Sequence, residues 1–299
     1  MARRLVLLSA AERRYCEPLL AGFAARHPDI EVEFVFGIST ALHHRFLDEI
    51  AAGGPTADLV WSSAMDLQMA LVAAGHARPH GLSPALPPGA AFRDLAVSTT
   101  SEPLMTLLRG TPAPAGAPAE IAALLCADPA RFRSRILLPD IEANGLGFLA
   151  MLRWSLTEPG FDALLEALRD SSPRLVGSIG GLVQAMGEAE LGLHVLGAYA
   201  TRAVAADPVL CIAPSAAPPL AVARVAFIPA RARDPEAAAA FLAYLVSADG
   251  QAALGEAGLY PITTAEVPPI PIDDGFAAML DEAARGEMLA RWRAAVGRA

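Results

Sequence analysis

Three times within the first 75 residues, a short apolar run ends in hydroxyl residues and passes directly into a helical pattern. This repetition narrows the fold more than any other feature of the chain. Residues 5–8 (LVLL) end at Ser9, and the helical spacing of Leu19, Leu20, Phe23 and Ala24 follows. Residues 30–36 alternate as a strand does and lead through Gly37 to Ser39 and Thr40, at the head of an amphipathic helix through Leu42, Phe46, Leu47 and Ile50. Residues 58–61 run into Ser62 and Ser63, with a helix over 66–74 that ends at Gly75. Strand and helix in strict succession make a parallel sheet, whose strand carboxyl ends share one edge where the next helices begin. The expectation is that Ser9, Ser39, Thr40, Ser62 and Ser63 line a common crevice, with Ser39 or Thr40 capping its helix.

The same grammar returns later in the chain. Residues 136–152 (ILLPDIEANGLGFLAML) read as a buried strand, a tight turn and a helix buried on most faces, with Asn144 at the N-cap position. Gly145 and Gly147 would let the backbone approach a bound group, and Gly145 is expected at positive φ. The free N–H groups of such a helix start can hold an anion without any charged side chain. Ser178 and Gly180 repeat the handover after a short strand at 174–176. A strand over 190–195, interrupted at Gly192, carries His194 and precedes a helix that begins at Gly197 and bears Tyr199. Residues 80–89 and 111–118 read as loops, and 220–228 as extended and apolar. Asp234 is placed to cap a helix to 247, and a final helix is expected over 275–296.

Composition removes several classes of function. The 299 residues are 54% hydrophobic with a mean hydropathy of +0.39, but much of this is alanine, and no apolar run approaches the roughly 18 residues that span a bilayer. A net charge of −9 without any basic cluster argues against nucleic acid as a partner. Lysine is absent, so every fixed side-chain cation is an arginine, which suits planar recognition of carboxylate or phosphate. Cys16, Cys126 and Cys211 are far apart and odd in number, and are expected to be small buried hydrophobes without a disulfide. The start, MARRLVLL, imitates a signal segment but is too short for one. A periplasmic chain whose signal is removed and a cytoplasmic one both fit.

A wider set of residues falls in a familiar order. It comprises residues 17–20 (EPLL) with Phe23 and 26–28 (RHP), 39–42 (STAL) with 45–47 (RFL), 57–63 (ADLVWSS), 128–132 (DPARF) and 145–148 (GLGF). Residues 195–200 (VLGAYA), 224–229 (RVAFIP), 250–251 (GQ) and 258–262 (GLYPI) complete it. Together these resemble the type II periplasmic solute-binding proteins of ABC transporters, in the branch that binds ferric iron and organophosphates. The resemblance implies an α/β fold of two lobes, each an open mixed sheet flanked by helices, with the ligand in a cleft between them. It places lobe 1 at 1–100 plus 225–299 and lobe 2 at 101–224, with crossing strands near 97–107 and 220–228. It implies a monomer that presents a small organic anion to a permease or a membrane sensor. Ferric-binding members carry adjacent tyrosines, whereas Tyr199 stands between Ala198 and Ala200, and hard ferric iron needs several anionic oxygens.

The remaining candidates divide between ligand contact and structure. Tyr199 could donate a hydrogen bond at its helix start, His194 could face the cleft, and Arg224 could pair with a ligand anion or with a neighbouring carboxylate. His43 and His44 point about 100° apart on a helix, and the helix that would align His76 with His80 is broken by Gly75 and Pro79. No metal site and no cofactor are expected. Asp140 and Glu142 lack a nucleophile to serve, so they are expected to orient the turn, and the chain is read as a binding protein rather than an enzyme.

Overall fold

The structure is a computed structural model that describes residues 3–82 and 86–297. Part of the loop expected over 80–89, and the first two residues of the MARR start, lie outside the described residues. The chain divides into two compact units, Met1–Glu102 with Ala221–Phe276, and Pro103–Leu220 with Ala277–Ala299.

Unit 1 is built on a sheet in the order Ile30–Phe36, Arg3–Ser9, Leu59–Ser62, Val225–Phe227, Ala96–Ser98 and Ala91–Phe92. Its first three strands are parallel, in a register that sets Ser9 beside Phe36 on one side and Trp61 on the other. Val225–Phe227 returns antiparallel to both neighbours, with Val225 opposite Ser62 and Ser98. The helices Arg13–Arg26, Ser39–Ala51 and Met65–Ala73 each leave from the carboxyl edge of the parallel strands. Leu5, Leu7 and Leu8 are fully buried beneath them, and the rings of Phe23 and Phe241 meet edge to face at 4.8 Å. Asp58 ties the base of the sheet: its carboxylate accepts from the N–H of Val6 and from that of Asp234.

Unit 2 carries the second sheet, in the order Leu210–Ile212, Glu102–Arg109, Leu191–Leu196, Ile136–Pro139 and Arg174–Val176. Ile136–Pro139 is parallel to both of its neighbours, so Pro139, Val176 and Leu196 end at one edge. The helices Gly145–Thr157, Ile179–Ala185 and Gly197–Ala206 start there. The helix Gly145–Thr157 is buried on most of its circumference, as its unbroken apolar run requires. The final helix, Glu282–Val296, corrects the sequence-based boundary. It packs on Phe161–Ser171 and Gly145–Thr157 within unit 2, and Arg293 and Arg291 pair there with Glu142 and Asp162. Only the segment up to Phe276 stays with unit 1.

The cysteine expectation holds for one of three. Cys16 is buried, and burial pushes its thiol up to about 12, whereas Cys126 is exposed and Cys211 half-exposed; all three are free. Among the described residues no single helix is long and apolar enough to cross a membrane.

Candidate functional site

Each sheet gathers its candidate residues at its own carboxyl edge, as parallel strands dictate. In unit 1, Ser9 and Ser62 are the last residues of their strands and are buried. Their hydroxyls accept from the N–H of Ala11 and of Ala64, at 3.1 and 3.3 Å. Ser39 and Thr40 are the first two residues of their helix rather than its cap. The N-cap is Ile38, whose extended backbone delivers the chain into the helix and whose side chain can accept nothing. Ser63 lies just before Ala64, which caps the next helix, again without a side-chain hydrogen bond.

In unit 2, Asn144 is the cap that the sequence indicates, its carboxamide oxygen accepting from Gly147 N–H at 3.1 Å. Ser178 caps Ile179–Ala185 in the same way, accepting from Gly181 N–H at 3.1 Å, and Gly180 is the second residue of that helix. A capping hydroxyl keeps its own hydrogen, and a capping carboxamide keeps its NH₂, so both retain a donor for a ligand. Gly145 is the first helical residue, not a positive-φ turn. Gly147 is required by packing: a Cβ there would come within 2.5 Å of the Pro139 side chain, so it seats the helix on its own strand. The Asp140 carboxylate accepts from Glu142 N–H, and Glu142 pairs with Arg293 at 2.7 Å, which fixes the turn. Gly197–Ala206 starts from Leu196 with no side-chain cap, and Tyr199 is its third residue, half-buried.

Two sequence candidates are buried. Arg224 is 2% exposed and pairs with fully buried Glu102, Nε to Oε1 at 2.6 Å, so its charge is already matched inside unit 1. His194 is also buried, with its ring against Trp154 at 4.2 Å between centroids. Trp154 stands about 15 Å along its helix from Asn144 at 1.5 Å per residue, so this contact is remote from the turn. The irregularity expected at Gly192 falls at His194 instead. Thr106 faces both Leu193 and His194 across a bulge, and His194 takes φ +55° to accommodate it.

His194 has a consequence for stability. Neither ring nitrogen has a partner among the described residues, and complete burial pushes its pKa down to about 3 from the ordinary 6.5. The unfolded chain therefore binds the extra proton between pH 6.5 and 3, and the folded protein does not. Stability is whole above pH 6.5 and falls as the pH drops toward 3. At pH 5 the loss is about 2 kcal/mol at 1.36 kcal/mol per unit. Denaturant titrations at pH 7 and pH 5 measure it, and His194→Asn, which tolerates positive φ, is expected to flatten the slope.

Charge at the helix starts sets most of the edge helices apart from the other long helices. The helices Pro118–Ala127, Phe161–Ser171, Pro235–Val246, Ala248–Glu256 and Glu282–Val296 carry Glu120, Asp162, Glu236, Asp249 and Glu282 in their first turns. Such carboxylates neutralise the positive helix end. Of the six helices that leave the carboxyl edges, five have no acid in the first turn, and the exception is Met65–Ala73 with buried Asp66. Sequence reading missed this contrast, although it is visible in the sequence once the helix starts are known.

Residues 5–260 match the family model of the bacterial extracellular solute-binding proteins. The chain belongs to that family. A substrate-binding protein of an ABC transporter from Agrobacterium tumefaciens has the same fold with a TM-score of 0.91 and 25% identity, over 99% of this chain and 94% of that one. AfuA from Actinobacillus pleuropneumoniae, solved with exogenous fructose-6-phosphate bound, gives 0.77 at 16% identity over the full length of both chains. Iron-bound HitA from Pseudomonas aeruginosa gives 0.72 at 16% identity, over 98% of this chain and 99% of that one. A search of curated proteins finds no match. The two mixed sheets flanked by helices are those of the two-lobed periplasmic-binding fold. This solute-binding protein is thus of a kind that delivers ligands to a membrane permease.

Proposed function

We propose that the solute is a small organic anion, phosphorylated or carboxylated, clamped outside the cytoplasmic membrane and handed to an ABC importer. The observation that carries this reading is the set of acid-free helix starts at the carboxyl edges of both sheets. A carboxylate in the first turn costs nothing structurally and stabilises a helix by about 0.3–1 kcal/mol, so leaving it out favours an anion from elsewhere. Backbone N–H groups at Ser39, Thr40, Gly145 and Gly197, with the hydroxyls of Ser63, Ser178 and Tyr199, are the proposed donors. Ser9, Ser62, Asn144 and Gly180 shape the turns around them. Tyr199 stands between Ala198 and Ala200 rather than in an adjacent pair of tyrosines, which favours this anion over bare ferric iron.

Native mass spectrometry of gently purified protein tests the reading directly. An acidic metabolite recovered at one equivalent supports it, and a neutral or cationic cargo refutes it. Titration with ferric citrate is expected to produce no strong tyrosinate-to-iron band in the visible spectrum. A coloured stoichiometric complex would return the protein to the iron-binding branch.

A further inference from the structure

At the carboxyl edge of unit 1, two large apolar side chains are left open to water on either side of one glycine. Phe36 ends the strand Ile30–Phe36 and is 54% exposed, and Ile38, the N-cap of Ser39–Ala51, is 43% exposed. Single apolar side chains scattered over a surface need no explanation. The other large ones exposed among the described residues are of that kind: Leu47 is well along its helix, Leu156 is near the end of Gly145–Thr157, and Val209 stands just before the strand Leu210–Ile212. Phe36 and Ile38 instead adjoin Ser39 and Thr40, whose N–H groups are proposed anion donors.

The turn that presents them is fixed by its own contacts. Gly37 N–H donates to the Ser9 carbonyl at 3.3 Å, and Leu42 N–H donates to the Ile38 carbonyl at 3.0 Å. Buried Leu42 closes over Gly37, where a Cβ would come within 2.9 Å of the leucine methyl. Phe36 and Ile38 are thus held outward before any ligand arrives, which lowers the ordering cost of using them.

Their neighbours are those of an acid-binding site. The parallel register pairs Ser9 with Phe36, so both side chains leave one face of the sheet from strands about 4.8 Å apart. The Ser9 hydroxyl accepts from Ala11 N–H and keeps its own hydrogen for another acceptor. Further back on that face, the guanidinium of Arg13 lies 6.0 Å from the centre of the Phe34 ring and pairs with Glu17 at 3.1 Å. Arg13 opens a helix that has no acid in its first turn. An anion alone makes no use of the Phe36 ring. An anion that bears a flat apolar group covers it, and covering apolar surface is favourable.

We propose that Phe36 and Ile38 form an apolar shelf beside the anion donors of unit 1, and that the solute carries an aromatic ring next to its acidic group. This narrows the proposed organic anion to an aromatic one and rests on that reading.

The experiment compares anions that differ in the ring. Calorimetry on the full chain measures phenyl phosphate against glycerol 3-phosphate, and phenylacetate against propionate. In the pair whose acidic group fits, the ring-bearing member is expected to bind about 10-fold more tightly. That ratio is expected to fall to about 1 in Phe36→Ala, to shrink in Ile38→Ser and to persist in Phe36→Tyr, which keeps the ring. Because Phe36 and Ile38 are both exposed, the variants are expected to fold, and the ratio of two affinities in one variant is insensitive to a general loss of stability. Binding of both members of a pair with equal affinity, or a ratio that Phe36→Ala leaves at its parent value, would overturn the shelf and leave the organic anion standing. Failure of all four anions to bind would overturn the anion reading itself, and the shelf with it.

Discussion

Arg224→Ala is expected to destabilise the ligand-free protein by about 3–5 kcal/mol, because it strands the carboxylate of Glu102 in the interior without its counter-charge. Glu102 is fully buried, and its hydrogen bond from Thr100 cannot replace a guanidinium. Chemical denaturation followed by tryptophan fluorescence measures the loss, with Trp61 beside the pair as a reporter. Affinity for the recovered solute is expected to change little once the protein is folded. An arginine that contacts ligand would give the opposite pattern, with binding weakened by about 10-fold or more and stability hardly altered. The two outcomes separate a pair inside unit 1 from a group at a binding edge. The apolar double replacement at Glu102 and Arg224 is expected to recover most of the loss.

The contrast between Arg224 and Asn144 marks the limit of what the sequence discloses. Asn144 caps a group three residues away, as Asp234 does for Ala237, so local spacing was enough to find both. The alternating strand Ile30–Phe36 and the apolar helix Gly145–Thr157 were legible for the same reason, since each is dictated by periodicity within itself. Arg224 meets a partner 122 residues distant, and nothing near it in sequence distinguishes a ligand contact from an ion pair. His194 is displaced by a bulge that depends on how Glu102–Arg109 registers against Leu191–Leu196, a pairing between strands more than 80 residues apart. Gly147 looked like a place for ligand approach, but the nearby Pro139 ring fills that space once strand and helix fold together. The final helix joined unit 2 through Arg291 and Arg293, whose carboxylate partners stand 129 and 151 residues away. The hydroxyls at Ser9, Ser39, Thr40, Ser62 and Ser63 do fall at strand ends and helix starts of one sheet, yet which of them cap is decided by single-residue offsets, as at Ile38 and Ser39.

Those offsets permit a test that separates a cap from a ligand donor. Ser178 accepts the N–H of Gly181, and aspartate is as good an N-cap as serine, so Ser178→Asp is expected to keep or raise stability. The same change puts a fixed negative charge where the proposed anion sits. Two like charges about 4 Å apart at an effective dielectric near 20 repel by about 4 kcal/mol, enough to weaken binding by roughly a thousandfold. Ser178→Ala inverts the balance. It costs about 0.5–2 kcal/mol of stability through the lost cap, and weakens binding only by about 10-fold, since it removes one donor and adds no charge. Thr40→Asp asks the same question of unit 1, where the first turn of Ser39–Ala51 carries no acid and a new carboxylate gains about 0.3–1 kcal/mol from the helix end. Calorimetry with the recovered solute reads affinity, and thermal unfolding reads the apo state. Collapse of affinity in both aspartate variants is expected from a solute held by helix starts of both units, and collapse in one alone would assign the anion to that unit. Undiminished binding in both would mean that the acid-free first turns serve folding, and that the solute is recognised by other groups.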